Sequence, residues 1–392
     1  MQQIFADLHI HLGSAEGKPV KVTASRQLDL KTVLYRDAKI KGLDAVGVID
    51  AVCTNVLKEM EDMLEKKELI ELPEGGFLAR NGVLLIAGAE IESREGVHNI
   101  IYLPGMEQLK TLHKFLKTRV KNMTLSTQKA RVSIEELINL SKLLEGVFCP
   151  AHVFTPFKGI YGFWTNNLRT RLGANTDQFY TLELGLSADT YMADMLKETR
   201  SFTFLSNSDA HSSANIGREY NLLRLRAKNF TEIKMAIENR EGRKVAANYG
   251  MDPLLGKYHR SYCNDCQLIT PMMPPVRTCS QCGHKNMVMG VMDRIAEIRD
   301  YEEPHHPVGR PPYHYRVPLK SLPGIGPKTI EKLLSYFESE IEVMERADTE
   351  KIAKLIGTAA AVQIEQMRSG RMTIKPGGGG YYGKVTAGNL DN

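Results

Sequence analysis

The feature that most constrains this chain is where its chemistry-bearing residues fall. Over residues 1 to about 230, short apolar runs alternate with helical patterns, and run after run ends in a histidine or a carboxylate. The candidate strands are Ile4–Ile10, Ala45–Ile49, Val83–Ala87, Asn99–Tyr102, Val147–Pro150, Thr181–Leu184 and Phe202–Asn207. Helical patterns lie between them, for example Leu30–Lys41, Ser133–Leu144 and Phe230–Asn239. Alternation of this kind predicts an α/β fold with a parallel sheet or barrel, and about seven strands in this length suit a distorted α/β barrel. In such barrels the chemistry sits where the strands end, at the C-terminal face.

The ligand-type residues follow that rule. Asp7-Leu-His9-Ile-His11 closes the first run, and two histidines at i and i+2 project from one face of a strand. Asp50 follows the second run, and Glu90 follows the third. His98 comes after the next turn, His152 follows Val147–Ala151, and Asp209 and His211 follow Phe202–Ser208. A lone His-x-His is weak evidence, since chance or core packing produces it as often as function does. Scattered polar caps do not collect at the same end of so many strands. Mixed histidine and carboxylate ligands suit Zn, Mn or Fe, and carboxylates can bridge two ions. Ions so grouped fit phosphoester hydrolysis. Asp7 is expected to orient a histidine from behind. Glu183 in Leu182-Glu183-Leu184-Gly185 reads equally as a catalytic group or as a buried structural carboxylate.

The texture changes near Tyr258. Cys263-Asn-Asp-Cys266 is followed by Cys279-Ser-Gln-Cys282, and Gly283 supplies the tight turn a zinc knuckle needs. Four thiolates at this spacing predict a structural tetrahedral zinc site, closed to substrate. Cys53 and Cys149 stand alone and read as core residues. Residues 304–318, rich in Pro, His and Tyr, read as a linker or an extended arm. Leu322-Pro-Gly324-Ile-Gly326-Pro-Lys328 precedes an apolar helix, Ile330–Phe337. Its glycines would let backbone N–H groups at a helix start meet a DNA phosphate, with Lys328 adding charge. The expected domains are 1–250 (metal-dependent catalytic), 251–300 (four-Cys zinc module), 301–370 (helical DNA-binding region) and 371–392 (Gly-rich flexible tail).

Composition narrows the setting. The 392 residues exceed what one core usually holds. No apolar run approaches the ~18 residues of a membrane span, and Met1–Asp7 lacks a signal peptide's apolar segment. A cytoplasmic, nucleoid-associated location is expected. The net charge of +5 is mild. It is uneven, with ten Lys/Arg against five Asp/Glu between Ile216 and Arg260, which reads equally as a phosphate-facing stretch or a solvated helix face.

The order His-x-His, Glu90, His98, His152 and Ser208-Asp-Ala-His211 resembles the polymerase and histidinol phosphatase (PHP) domain family over roughly residues 1–230. The resemblance implies that His9, His11, Glu90 and Asp209 hold one ion. Glu90, His98 and His152 would hold a second, and Asp50 and His211 a third. Two positions depart from the family pattern. Ala51 stands where a histidine is common, and the acidic ligand after His-x-His is missing unless Glu16 serves. The third ion is therefore expected to be absent, weak or completed by water. The string around Gly324 resembles the helix–hairpin–helix family.

The three parts in this order resemble the endonuclease Q family over nearly the whole chain. So do Ala151-His-Val-Phe-Thr-Pro-Phe157 and Leu184-Gly-Leu-Ser-Ala-Asp189. That resemblance implies cleavage of DNA on the 5′ side of deoxyuridine, deoxyinosine, deoxyxanthosine or an abasic site, with Asp209, His211 and Glu183 at the chemistry. It implies Zn in the four-Cys site and in the PHP site, with Mg or Mn required for activity. Phe157 and Tyr161 offer aromatic surface for a wedge or a stacked base, or else pack locally. Damaged DNA is the expected partner and a membrane is not. Recruitment by a sliding clamp or other repair proteins is left open, and a monomer suffices. Two rival classes remain: a small-molecule phosphoesterase of the histidinol phosphatase type, and a non-catalytic repair scaffold.

Overall fold

The structure is a computed structural model and describes residues 1–386. Strands β1 (Gln2–Ile10), β2 (Ala45–Val48) and β3 (Leu84–Glu92) run parallel in that spatial order. They are nearly all apolar because both of their faces are covered, as parallel strands require. Gly47 belongs there by contact, since a Cβ at that position would lie 2.2 Å from the Leu8 carbonyl oxygen.

The turn from Ser93 to Val97 is too short for a crossover helix, so β4 (His98–Leu103) folds back antiparallel on β3. β5 (Val147–Pro150) lies antiparallel on β4 and so runs with β3 again. β6 (Thr181–Glu183) and β7 (Thr203–Leu205) pair in parallel. Val153 N–H donates to Glu183 O at 2.9 Å, and His11 N–H donates to Ala210 O at 3.0 Å. These two bonds tie β5 to β6 and the end of β7 to β1, and the ring closes. The expected distorted α/β barrel is present, with β4 as its reversed member. The reversal also puts His98, the first residue of β4, beside the C-terminal end of β3.

Alternate residues of the strands face two cores. Ile4, Ala6 and Leu8 join Leu84, Ile86 and Ile100 in one cluster, against Phe230 and Ile233 of the helix Phe230–Ile237. Phe5, Val46, Val48, Leu85 and Ala87 face the other, toward the surrounding helices. The register of β1 shifts between Asp7 and Ile10, which moves Ile10 and Leu12 to the second cluster and re-aims the strand end that carries the histidines. The helix Ile134–Leu143 starts where it does because Ser133 caps it. The Ser133 hydroxyl accepts from Glu136 N–H and the Glu136 carboxylate accepts from Ser133 N–H.

Outside the ring, β8 (Tyr220–Leu225) and β9 (Lys244–Met251) extend the sheet antiparallel from β1. β10 (Tyr313–Arg316) pairs in parallel with β9, so the stretch expected to be a linker or arm is a docked edge strand. Arg310 anchors it through a 2.7 Å ion pair to the buried Asp194. The basic run from Ile216 divides in its use. Arg243 is consumed by a buried pair with Glu232 at 2.7 Å, while Arg218 reaches the cleft described below.

In the cysteine module, Tyr262–Cys263 pairs with Leu268–Ile269 on one side and Met287–Val288 on the other. The buried Asp293 gathers its backbone, accepting from Ser261 N–H at 2.8 Å and Val276 N–H at 2.9 Å. Beyond β10 the chain is helical, over Pro327–Leu334, Glu340–Glu345, Thr349–Ile356 and Thr358–Arg368. Glu345 ties this region to the sheet by accepting from the Tyr220 hydroxyl at 2.9 Å and pairing with Arg316. The Gly-rich tail, expected to be flexible, is folded as far as Thr386. Thr373–Lys375 pairs with Lys384–Thr386, and Gly377 and Gly383 bond to Leu254 and Leu255. Its last part, 387–392, lies outside the described residues. Among the described residues no helix is long and apolar enough to cross a membrane.

Candidate metal centre

The barrel brings His9 from β1, His11 just after it, Glu90 from β3, His98 from β4, His152 after β5, and Asp209 and His211 after β7 to one place. Three ligand triads result: His9–His11–Glu90, Glu90–His98–His152 and His11–Asp209–His211. Glu90 stands at the centre. Its Oε1 lies 3.0 Å from His98 Nδ1, 3.6 Å from His152 Nε2 and 3.7 Å from His9 Nε2. Its Oε2 lies 3.3 Å from His11 Nε2. A carboxylate so placed can bridge two cations.

Two residues of the centre are held in backbone conformations that side chains rarely adopt, His152 at φ 33° and Asp209 at φ 45°. Such strain costs on the order of 1–3 kcal/mol per residue and persists only where surrounding contacts fix it. Around Asp209 those contacts are Ser208 N–H on the Asp7 carboxylate at 3.0 Å, and the Arg218 guanidinium on Ser208 O at 2.8 Å.

The histidines are oriented from behind. Glu183 grips His9 Nδ1 with both oxygens, at 2.9 and 3.1 Å, and also accepts from His152 N–H and the Asn207 amide. It is almost fully buried and has no oxygen left for substrate, so the catalytic role expected of Glu183 gives way to a positioning one. Asp50 serves His11 in the same way. One oxygen takes His11 Nδ1 at 2.9 Å and the Ser126 hydroxyl, and the other takes Leu12 N–H at 2.6 Å. The expectation that Asp50 is an ion ligand is corrected, because its buried carboxylate turns to His11 Nδ1, Ser126 and Leu12 N–H and joins none of the ligand triads. Asp7 orients no imidazole ring. It accepts from the backbone N–H groups of His9, Ser208 and Gly217 and so fixes two loops. Glu16 does not supply a missing acidic ligand, being exposed and paired with Lys58 at 2.9 Å.

The electrostatics are those of a cluster built around positive charge. Burial opposes the charged form of His9, but Glu183, Asp209 and Glu90 outweigh it and lift its pKa to about 10. His98 is lifted to about 9 against its burial by Glu90 and Glu92. Glu90 is held well below the usual carboxylate range despite burial, chiefly by His98 and Lys21. His9 Nε2 is fully buried without a hydrogen-bond partner and looks onto Asp209 Oδ1 at 3.5 Å. An orphaned imidazole nitrogen facing carboxylates fits a bound cation, as does the donor set around it.

The centre opens into a cleft of about 510 Å³. Phe157, half exposed, meets Tyr258 edge-on along it, with ring centroids 5.6 Å apart. The expectation for Tyr161 is corrected, because it is fully buried and stacked on Phe154, so neither face is open to a base. Lys158, Arg218 and Lys257 give the cleft a basic wall, and Tyr382 of the folded tail bonds Arg218 at 2.8 Å. Sequence reasoning missed Arg218, Tyr382 and Lys21. The basic run beginning at Ile216 pointed to the first, but no motif marks the others.

The four cysteines converge as expected, with Cys263 and Cys282 Sγ atoms 3.7 Å apart and Cys279 and Cys266 Sγ atoms 3.9 Å apart. Gly283 takes φ 73° in the knuckle turn. Gly324, at φ 78°, and Gly326 are exposed with open space around them, and Lys328 is exposed. The element before this turn is a single 3₁₀ turn, Leu319–Ser321, where a full helix would complete the helix–hairpin–helix pattern.

No protein-family model matches the chain. The uncharacterized protein YqxK of Bacillus subtilis (strain 168) is 37% identical over 394 residues, spanning 98% of this chain and 100% of that protein. Two solved structures superpose on nearly the whole chain, each with a TM-score of 0.86. One is the lesion-specific endonuclease PfuEndoQ from Pyrococcus furiosus, 31% identical, covering 99% of this chain and 96% of that one. The other is endonuclease Q in complex with a 27-mer duplex substrate that carries an abasic lesion at the active site. It is 32% identical and covers 99% of this chain and 97% of that one.

Proposed function

The chain belongs to the endonuclease Q family and is a metal-dependent endonuclease of DNA repair, and from that premise we propose that it hydrolyses the phosphodiester on the 5′ side of a damaged nucleotide. Its substrates are an abasic site and the deaminated nucleosides deoxyuridine, deoxyinosine and deoxyxanthosine. Its products are 3′-hydroxyl and 5′-phosphate ends. One observation carries the reading: the ligand cluster around Glu90 opens directly into a cleft of nucleoside size with an aromatic and basic lining.

In this reading His9, His11, Glu90 and Asp209 would hold one cation, and Glu90, His98 and His152 a second. Cations held there would supply hydroxide near neutral pH and neutralise charge on the phosphoryl oxygens. The chain's own residues do the rest. Glu183 fixes His9 so that Nε2 faces the centre. Burial pulls the His211 pKa down to about 4, against Asp209 and with help from His11 and Lys21, so its ring is neutral at physiological pH. Its Nδ1–H donates to the Asp209 carbonyl at 3.1 Å, which leaves Nε2 free to accept a proton at the edge of the cleft. Phe157 and Tyr258 offer faces on which an extruded base stacks, and a damaged pair is cheaper to open than an intact one. Away from the centre, the exposed turn at Gly324 and Gly326 with Lys328 meets backbone phosphate and reads no sequence.

The test is a panel of end-labelled duplexes, each with one abasic site, deoxyuridine, deoxyinosine or deoxyxanthosine, incubated with Mg or Mn. The reading expects one cut immediately 5′ of each lesion, a 3′ end extendable by polymerase, and no cut in undamaged duplex. Phosphate release from small monoesters with every duplex left intact would replace it with a small-molecule phosphoesterase.

A further inference from the structure

The glycines of the tail let it lie flat on the chain before the cysteine module. Gly377 N–H donates to Leu254 O at 2.8 Å, Gly383 N–H to Leu255 O at 3.0 Å and Gly380 N–H to Lys257 O at 3.1 Å. A Cβ at Gly377 would sit 2.4 Å from Gly256 O, one at Gly379 2.4 Å from the Tyr262 ring, and one at Gly383 2.4 Å from Leu254 O. Side chains at these positions would lift the tail away. Close docking delivers Tyr382, which lines the cleft beside the ligand cluster.

There Tyr382 meets Arg218, a guanidinium only 8% exposed. Arg218 donates from Nε to Ser208 O at 2.8 Å, from one terminal nitrogen to Asp209 O at 3.3 Å, and from the other to the Tyr382 hydroxyl at 2.8 Å. A guanidinium has five N–H donors, so one remains on each terminal nitrogen. Its bonded partners are all neutral oxygens, and among the described residues no carboxylate pairs with it. The adjacent Glu219 carboxyl, which burial pushes up to about 8, is protonated near neutral pH and brings no compensating charge. A buried cation without a counter-ion is costly, which favours an anion at its open N–H groups.

Two further donors face the same space. The Tyr382 oxygen accepts from Arg218 and so keeps its own proton to give. The Lys257 ammonium lies 4.9 Å from the centre of the Tyr382 ring and lines the same cleft. Asp209 turns its carboxylate toward His9, at 3.5 Å, and its carbonyl toward Arg218. The donors therefore neighbour the ligand cluster without using its ligand atoms.

We propose that the tail completes a phosphate seat at the rim of the cleft, in which Tyr382, Arg218 and Lys257 hold a backbone phosphodiester of the damaged strand next to the one that is cut. This rests on reading the chain as a nuclease that cuts beside a lesion. The seat fixes the strand's register against the ligand cluster. It acts on binding and not on the chemical step.

The test is a set of lesion-bearing duplexes in which one linkage at a time, other than the one cut, is a neutral methylphosphonate. Wild type is compared with Tyr382→Phe, which keeps the ring beside Lys257 and loses only the hydroxyl of a side chain that is already 41% exposed. For wild type one linkage should stand out, its neutralisation raising KM on the order of 10-fold with kcat little changed, as loss of a hydrogen bond to a charged group would do. Tyr382→Phe should raise KM for the unmodified duplex and lose most of the penalty at that one linkage, with the response at every other linkage kept. A merely structural role would change all linkages alike. A wild-type scan with no outstanding linkage, or a penalty undiminished in Tyr382→Phe, would overturn the seat and leave the nuclease reading intact. A flat scan with inhibition by inorganic phosphate that the variant escapes would overturn it too, assigning the donors to a free or terminal phosphate. A chain that neither binds nor cuts any lesion-bearing duplex would overturn both.

Discussion

Glu183 grips His9 through both carboxylate oxygens, 2.9 and 3.1 Å from Nδ1, while His9 Nε2 on the far side of the ring has no hydrogen-bond partner. The carboxylate fixes the ring's orientation, so that with a cation at Nε2 the remaining proton would sit on Nδ1.

Glu183→Gln tests that pairing. The amide must turn its N–H₂ toward His9 Nδ1–H or toward His152 N–H, so one donor is left facing another. We expect affinity for the active-centre ions to fall about 10- to 100-fold, with the zinc of the cysteine module retained. Ion titration checks this. Restoration of the cutting rate by higher ion concentration separates positioning from direct chemistry.

A second prediction concerns pH. Burial raises the Glu219 carboxyl to about 8, and its Oε1 accepts from Met251 N–H at 2.8 Å. Its folded pKa lies above the unfolded value, so its contribution to stability is fully present below about 4.5 and is lost as pH rises toward 8. Glu219→Gln keeps the shape and removes the titration. Denaturant unfolding of the two chains should diverge in favour of the variant as pH rises through that window. The slope should be no steeper than about 1.4 kcal/mol per pH unit. Parallel stability curves would contradict it.

The exposed turn makes a third prediction. Lys328→Ala should weaken binding to duplex DNA by a similar factor whatever the sequence or lesion. It should lower the slope of log affinity against log salt by about 0.9. An unchanged slope would place the turn off the DNA.

The cysteine module makes a fourth. Cys263→Ser should release one zinc per chain and lower the thermal midpoint, because four thiolates and their ion stand in for the core that so short a segment lacks. Elemental analysis and calorimetry read the two effects, which should appear together.

Much of this was legible in the sequence, for identifiable reasons. Strands such as Val147–Pro150 announce themselves because burial on both faces forces a continuous apolar run, and ligands follow because strand ends in such a barrel converge. The paired cysteines are legible because four thiolates leave little alternative. The roles of Asp50 and Glu183 were not legible. Whether a carboxylate binds an ion or the far nitrogen of a ligand histidine depends on a few ångströms that spacing does not encode. Tyr161 misled because an aromatic residue in a loop after a ligand reads the same whether it lines the cleft or stacks inside on Phe154. The reversal of β4 could have been foreseen from the short Ser93–Val97 turn. Lys21 could not, since only the fold brings a lysine from a loop onto His11 and Glu90.

The most direct measurement is cleavage of an end-labelled duplex carrying one deoxyuridine, with wild type and Asp209→Ala compared on damaged and undamaged DNA. The account predicts a single ion-dependent cut 5′ of the lesion by wild type. It predicts none by the variant, whose affinity for the same duplex should stay within a few-fold. Cutting by Asp209→Ala at the wild-type rate would contradict the assignment of the centre.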